Sequence, residues 1–176
     1  AILAGAATAS MQELRKSVLM LSEFRSDSRA SVDREQIIRS ILGQAFDVRI
    51  DYYAEFLDAA SFSGPVYREA LVEFLRHKYD HRRFDAILAV GPTALDFARI
   101  NQADLFGGAP IVASTVDRQA LEKPAAGPLV TGVWRRLDPR ATVDFILRVQ
   151  PQTTRIFVVA GGAASRPLTT LLQEQL

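Results

Sequence analysis

Apolar residues along this chain come in two rhythms. Short unbroken runs alternate with longer stretches in which an apolar residue returns every three or four positions. The first pattern suits a strand buried on both faces, the second one face of a helix. Ser17 to Ser22 (SVLMLS) is the first run. A polar loop from Glu23 to Ala30 follows, and Ser31 is placed to cap a helix with Ile38, Ile41, Leu42, Ala45 and Phe46 on its inner face. Asp47 to Tyr53 reads as a second strand, and the long loop after it ends at the breaker pair Gly64-Pro65. The next helix turns Tyr67, Ala70, Leu71, Phe74, Leu75 and Tyr79 inward and ends among Arg76, His77, Lys78, His81, Arg82 and Arg83.

Asp85 to Val90 (DAILAV) is the clearest buried strand. It runs into Gly91-Pro92-Thr93 and a helix with Ala94, Leu95 and Ala98 inward; proline suits a first helical position because its fixed φ is pre-set for the turn. Ala109 to Ser114 and Leu129 to Val133 are the fourth and fifth strands. Asp138-Pro139 opens a helix with Thr142, Phe145, Ile146 and Val149 inward, Thr154 to Ala160 is a sixth strand, and Ser165 caps a last helix after the Gly161-Gly162 turn. Strands alternating with helices predict an α/β fold, a doubly wound parallel sheet with right-handed crossovers. Residues 17–133 make one complete lobe. Residues 134–176 are expected to be the hinge and the incomplete beginning of a second α/β lobe, because one strand and one helix cannot bury their own apolar faces.

Composition narrows the chemistry. At 176 residues with 48% hydrophobic and 23% charged, the chain can bury a full core. Its net charge of +1 supplies no field to recruit nucleic acid, so no nucleic-acid partner is expected. The absence of cysteine excludes disulfides, thiol nucleophiles and cysteine-ligated metals. Residues 1–16 stand apart: Ala1 to Ser10 are small and mostly apolar, and Ala7-Thr8-Ala9 fits a small-x-small cleavage pattern. They read as the remnant of a signal or anchor sequence, or as a tag.

In open α/β sheets ligands lie beyond the carboxyl ends of the strands. Those ends carry small and hydroxyl residues, which with free N–H groups at helix starts make neutral or anion-accepting pockets. Gly91-Pro92-Thr93 is the best candidate, since glycine permits close approach and Thr93 offers a hydroxyl; its plain alternative is an ordinary helix start. Ser114-Thr115-Val116-Asp117 and Ser22 to Asp27, with Arg25, carry the same two readings. Other chemistries lack their residues. A phosphoacceptor receiver needs an aspartate where Val90-Gly91 stands, Gly161-Gly162-Ala163-Ala164-Ser165 is neither a dinucleotide nor a P-loop fingerprint, and no nucleophile elbow is present. His77 and His81, four apart, suit a solvated helix end better than a metal site. Arg135-Arg136 either reach an acidic ligand or are solvated, and Trp134 either packs at a hinge or stacks on a ligand.

Ala70 to Thr93, Asp104 to Val112 (DLFGGAPIV), Val130 to Val133 and Asp138 to Ser165 together resemble the substrate-binding proteins of ABC transporters, and more closely the related sensor regions of bacterial two-component histidine kinases. The resemblance implies a periplasmic-binding-protein-like fold of two α/β lobes closing on a small molecule about a hinge. It implies ligand contacts at Gly91, Pro92 and Thr93, at Ser22 and its neighbours, at Thr115 and Asp117, and at Gly162, Ala163 and Ser165. The function expected is an extracytoplasmic small-molecule sensor domain with no cofactor and no catalytic residues. Its parent would be an inner-membrane kinase, and it could form a homodimer. The alternative is the solute-binding protein of an ABC importer, and a third class is an enzyme on the same scaffold.

Overall fold

The apolar runs pair with one another in parallel. The computed structural model describes residues 15–44, 48–59, 61–122, 129–136, 138–159, 170 and 172–173. Among them, strands β1 (Arg15–Ser22), β2 (Arg49–Phe56), β3 (Ala86–Val90), β4 (Ile111–Val116) and β5 (Val130–Trp134) form one sheet in the order β2-β1-β3-β4-β5. Each neighbouring pair is parallel. The helices are α1 (Arg29–Gln44), α2 (Pro65–Lys78), α3 (Pro92–Ile100), α4 (Gln102–Phe106), α5 (Arg118–Glu122) and α6 (Pro139–Val149). This is the doubly wound α/β sheet that the alternation predicts.

Proline opens three of the helices at the predicted places. α2, α3 and α6 each carry it in the first turn, after Gly64, Gly91 and Asp138. Asp138 also caps α6, its carboxylate accepting the Ala141 N–H at 2.9 Å. α1 starts earlier than expected. Ser28, not Ser31, is its cap: the Ser28 hydroxyl accepts the Ser31 N–H at 3.2 Å, and Ser31 is buried with its own hydroxyl accepting from Ser28.

The core lies on one face of the sheet. Leu19, Leu21, Ile87, Ala89, Ile111 and Ala113 meet Leu75 and Tyr79 of α2, Ala94, Leu95 and Ala98 of α3, and Phe84 and Phe106. Four expectations need correction. In α1, Ile41 is exposed, while Ile38 and Leu42 are half-buried and Ala45 and Phe46 lie outside the described residues. In α2, Ala70 and Phe74 are exposed, and the inward stripe is Leu71, Leu75 and Tyr79 with Val72 and Tyr67 beside it. The helix touches the sheet by this narrow stripe because a groove separates it from α3. In α6, Thr142, Phe145 and Val149 are exposed and Ile146 is half-buried. Periodicity marks an apolar helical face but cannot name the surface that covers it. Residues 154–159 form no strand, and Phe157 and Val159 face solvent. A strand needs a ladder partner, and none pairs with them among the described residues.

Candidate functional site

The strand order reverses between β1 and β3: from β1 the chain crosses to one side, from β3 to the other. Ser22 and Val90, the last residues of these strands, are in register. Backbone bonds continue past the strand ends. The Glu23 N–H donates to the Val90 carbonyl at 3.1 Å, Leu57 N–H to Ser22 at 2.7 Å, and Gly91 N–H to Ser114 at 2.9 Å. The rim at the switch point is therefore an ordered continuation of the sheet.

Gly91 is buried with φ +96°, a conformation that disfavours any side chain. A Cβ there would also lie 2.2 Å from the Glu23 Cδ. The space is needed because the Glu23 carboxylate reaches across and accepts the Thr93 N–H at 2.7 Å. Gly91 has no side chain to cap α3, and Glu23 does it from a loop seventy positions away in sequence. This changes one expectation. The N–H at the start of α3 is not free for an anionic guest, because the protein's own carboxylate holds it where the helix dipole favours negative charge.

The other predicted residues fall in distinct settings. Ser22 is fully buried, and its hydroxyl accepts the Phe24 N–H at 3.4 Å. Pro92 and Thr93 are exposed at the rim. Arg25 is exposed and grips Asp27 by two hydrogen bonds of 2.9 and 2.6 Å. The Arg25 hydrogen bond holds the Asp27 carboxyl below the usual carboxylate range. Thr115 was expected in a loop but belongs to β4, at a register shift, with φ +60°. A β-branched residue at positive φ is strained. Asp117 caps α5, its carboxylate accepting the Ala120 N–H at 2.6 Å. Ser22, Gly91 and Thr93 are thus brought together through Glu23 and Val90, and Thr115 and Asp117 occupy the neighbouring strand tip. Gly162, Ala163 and Ser165 lie outside the described residues.

Beside this rim, a groove of about 960 Å³ runs between α2, α3 and the β2–α2 loop. Leu57, Phe62, Leu71, Val72, Phe97 and Ile100 supply its apolar surface, and Thr93 stands at its rim end. Phe62 stacks on Tyr67 with ring centres 5.1 Å apart, and the Tyr67 hydroxyl donates to the Leu57 carbonyl at 3.0 Å. Sequence reading missed both Glu23's role and this groove. The long loop ending at Gly64-Pro65 was the only signal, since a loop of that length has room to fold over a pocket.

The remaining candidates are engaged locally. His77 lies 2.9 Å from the Glu73 carbonyl, while His81 is beyond the end of α2, so they do not share a helical face. Among the described residues no group of His, Asp or Glu side chains is arranged to hold a metal. Arg136 pairs with Asp138 at 3.2 Å, and the Arg118 guanidinium lies 5.9 Å from the Trp134 ring. No helix among the described residues is long and apolar enough to cross a membrane. Comparison with protein-family models and with curated proteins gives no match.

Proposed function

We propose that this chain is the small-molecule-binding part of an extracytoplasmic sensor in a two-component histidine kinase, and that it carries no reaction of its own. One observation carries the binding half: the switch point of a β2-β1-β3-β4-β5 sheet opens beside a groove of about 960 Å³. Doubly wound sheets of this order bind ligands at the switch-point crevice, and the groove adjoins it at Thr93. The volume is at the upper end of ordinary small-molecule sites, about 300–1,000 Å³. Polar side chains at the rim support holding over turnover. Glu23, Asp117 and Ser22 each accept a backbone N–H, and Arg25 is locked to Asp27. Groups so engaged fix the shape of a site, whereas acid–base catalysis needs a group placed to exchange a proton with substrate. The sensor half rests on the likeness of Ala70 to Thr93 and the later segments to kinase sensor regions. Ligand would bias the signalling state by as much as its affinities for the two states differ.

A thermal-shift screen with amino acids, short acids, nucleosides and sugars tests the binding claim. Ligand at a hundred times its dissociation constant stabilises the native state by about 2.7 kcal/mol, a shift of several degrees. Phe62→Ala, which removes one wall of the groove, should abolish the shift. A screen in which no class raises the melting temperature defeats the proposal. Turnover of a compound, lost in Thr93→Ala, would replace it with an enzyme on the same scaffold.

A further inference from the structure

We propose that the groove between α2 and α3 selects uncharged aromatic molecules, with the ring of the ligand against the open face of Phe62. This rests on the binding reading above and adds the ligand's chemical class. The first support is the charge balance of the lining. Arg68, Arg76 and Arg99 stand against Glu69, Glu73 and Asp96. Arg76 is paired with Glu73 at 2.6 Å. Arg99 donates to the Ala120 and Leu121 carbonyls at 2.7 and 2.8 Å, and Asp96 is also engaged. Arg68 and Glu69 form no ion pair among the described residues, but both are exposed, where pairing with a ligand is worth little. A charged group leaving water needs a partner of opposite charge. The groove has none to spare, so an ion gains nothing there over a neutral molecule of the same shape.

The second support is the rings. Phe62, Tyr67 and Phe97 all line the groove. Tyr67 stacks on one face of Phe62, and Phe62 is still 54% exposed, so its other face is left to water. Contact between rings adds to what area burial alone contributes. The third support is preorganisation. The loop that carries Phe62 is held before any ligand arrives. Asp58 has φ +42°, a left-handed conformation that aspartate adopts more readily than most residues. Its carbonyl accepts the Ser61 and Phe62 N–H groups, both at 3.0 Å, and its carboxylate accepts the Ser61 hydroxyl at 2.8 Å. On either side, the Ala59 N–H donates to the Glu23 carbonyl and the Tyr67 hydroxyl to the Leu57 carbonyl, each at 3.0 Å. A wall fixed in advance lowers the ordering cost of binding.

Isothermal titration of the whole chain at pH 7 with 3-phenylpropanol, 2-phenylethylamine and 3-phenylpropionate tests this. The alcohol should bind about tenfold or more tightly than either ion. Phe62→Ala should weaken the alcohol by about tenfold or more. Asp58→Ala should weaken it about fivefold or more, because the loop loses its hold on Phe62. Asp58→Asn keeps an oxygen for Ser61 and tolerates the same backbone, so it should stay within about twofold. A smaller preference for the alcohol, or a preference for either ion, overturns the proposal and leaves the pocket. Propionate preferred and then lost in Arg68→Gln would assign the groove to anions; amine preferred and then lost in Glu69→Gln would assign it to cations. Unchanged alcohol affinity in Phe62→Ala also overturns it. Binding of none of the three probes ends it as well, and the wider screen then decides whether the groove binds anything. Should Asp58→Ala fail to fold, Phe62→Ala and the order of the three probes on the unmodified chain decide by themselves.

Discussion

The two faces of the sheet are sealed to different extents. On one, Leu19, Ile87 and Ile111 stand side by side across β1, β3 and β4, all at 0% exposure. One pleat further on, Met20, Leu88, Val112 and Thr131 form the matching row on the other face. Met20 is buried, Leu88 half-buried, Val112 38% exposed and Thr131 exposed. The chain path explains the gradient. Only the crossover from β1 to β2 runs toward the β2 edge, so α1 is the helix that right-handed connection sends to that face. It reaches the β2 side, where Arg39 lies 4.5 Å from the Tyr52 ring and the Tyr52 hydroxyl meets the Met20 sulfur. Toward β5 the described residues of that face, Val112 and Thr131, are exposed. Stability is concentrated on the sealed face, and α3, Gly91 and the groove are all built on that face.

The largest expected effect comes from cutting equivalent rows. Ile87→Ala should lose about 3–4 kcal/mol of unfolding free energy, as buried aliphatic deletions do. Val112→Ala should lose less than about 1 kcal/mol, because its side chain is partly in water already. Urea denaturation of both variants gives the two numbers. Equal losses would mean that Val112 is covered in solution, and the contrast between the faces would collapse.

Two tyrosines sharpen the same contrast at smaller scale. Tyr79, on the sealed side, donates to the Glu55 carboxylate, which also holds Lys78 at 2.6 Å. Burial, then that hydrogen bond, pushes its hydroxyl well above the usual range. Tyr52, on the other face, is pushed up to about 12 mainly by burial, yet among the described residues its hydroxyl meets only the Met20 sulfur. Tyr79→Phe should therefore cost about 1.5 kcal/mol, a hydrogen bond to a charged group, and Tyr52→Phe under about 0.5 kcal/mol. Melting temperatures rank the pair, and the reverse order would show that the other face relies on Tyr52 more than its contacts indicate.

Much of this architecture is legible in the residues, and what is not has physical causes. Runs such as Ala86 to Val90 are apolar throughout because both faces of a central parallel strand are covered, at least in part. Proline marks three helix starts because the first turn tolerates its missing donor. The edge at which each strand adds is invisible, since alternation sets handedness and not order. Gly91 stands out as a breaker, but the carboxylate that requires its bareness is remote in sequence. Asp117 looks like a ligand contact because α5, at five residues, is too short to show a period. Thr115 looks like a loop residue because hydroxyls cluster there, and the register shift that keeps it in β4 has no local signature. The groove is the least legible, since it is the gap between two helices that each read as ordinary.

A further small effect belongs to the seam between β1 and β3. At the amino ends of β1 and β3, the Asp85 carboxylate takes the Lys16 ammonium at 2.7 Å and the Ser17 N–H at 2.8 Å. The lysine hydrogen bond first, and the Ser17 N–H second, hold its carboxyl below the usual carboxylate range. A carboxyl that gives up its proton more readily folded than unfolded favours the folded state above the unfolded value, about 3.9. That contribution fades as pH falls from there through the lower folded value. Lys16 and Asp85 side chains are 46% and 39% exposed, so Asp85→Asn should cost less than about 1 kcal/mol at pH 7. The asparagine keeps an oxygen for Ser17, so what is removed is charge. Urea midpoints at neutral pH and at about pH 3 should show the gap between the two chains closing in acid. A gap of unchanged size there would assign the loss to packing of the new amide, and the carboxylate would have no part in joining β1 to β3.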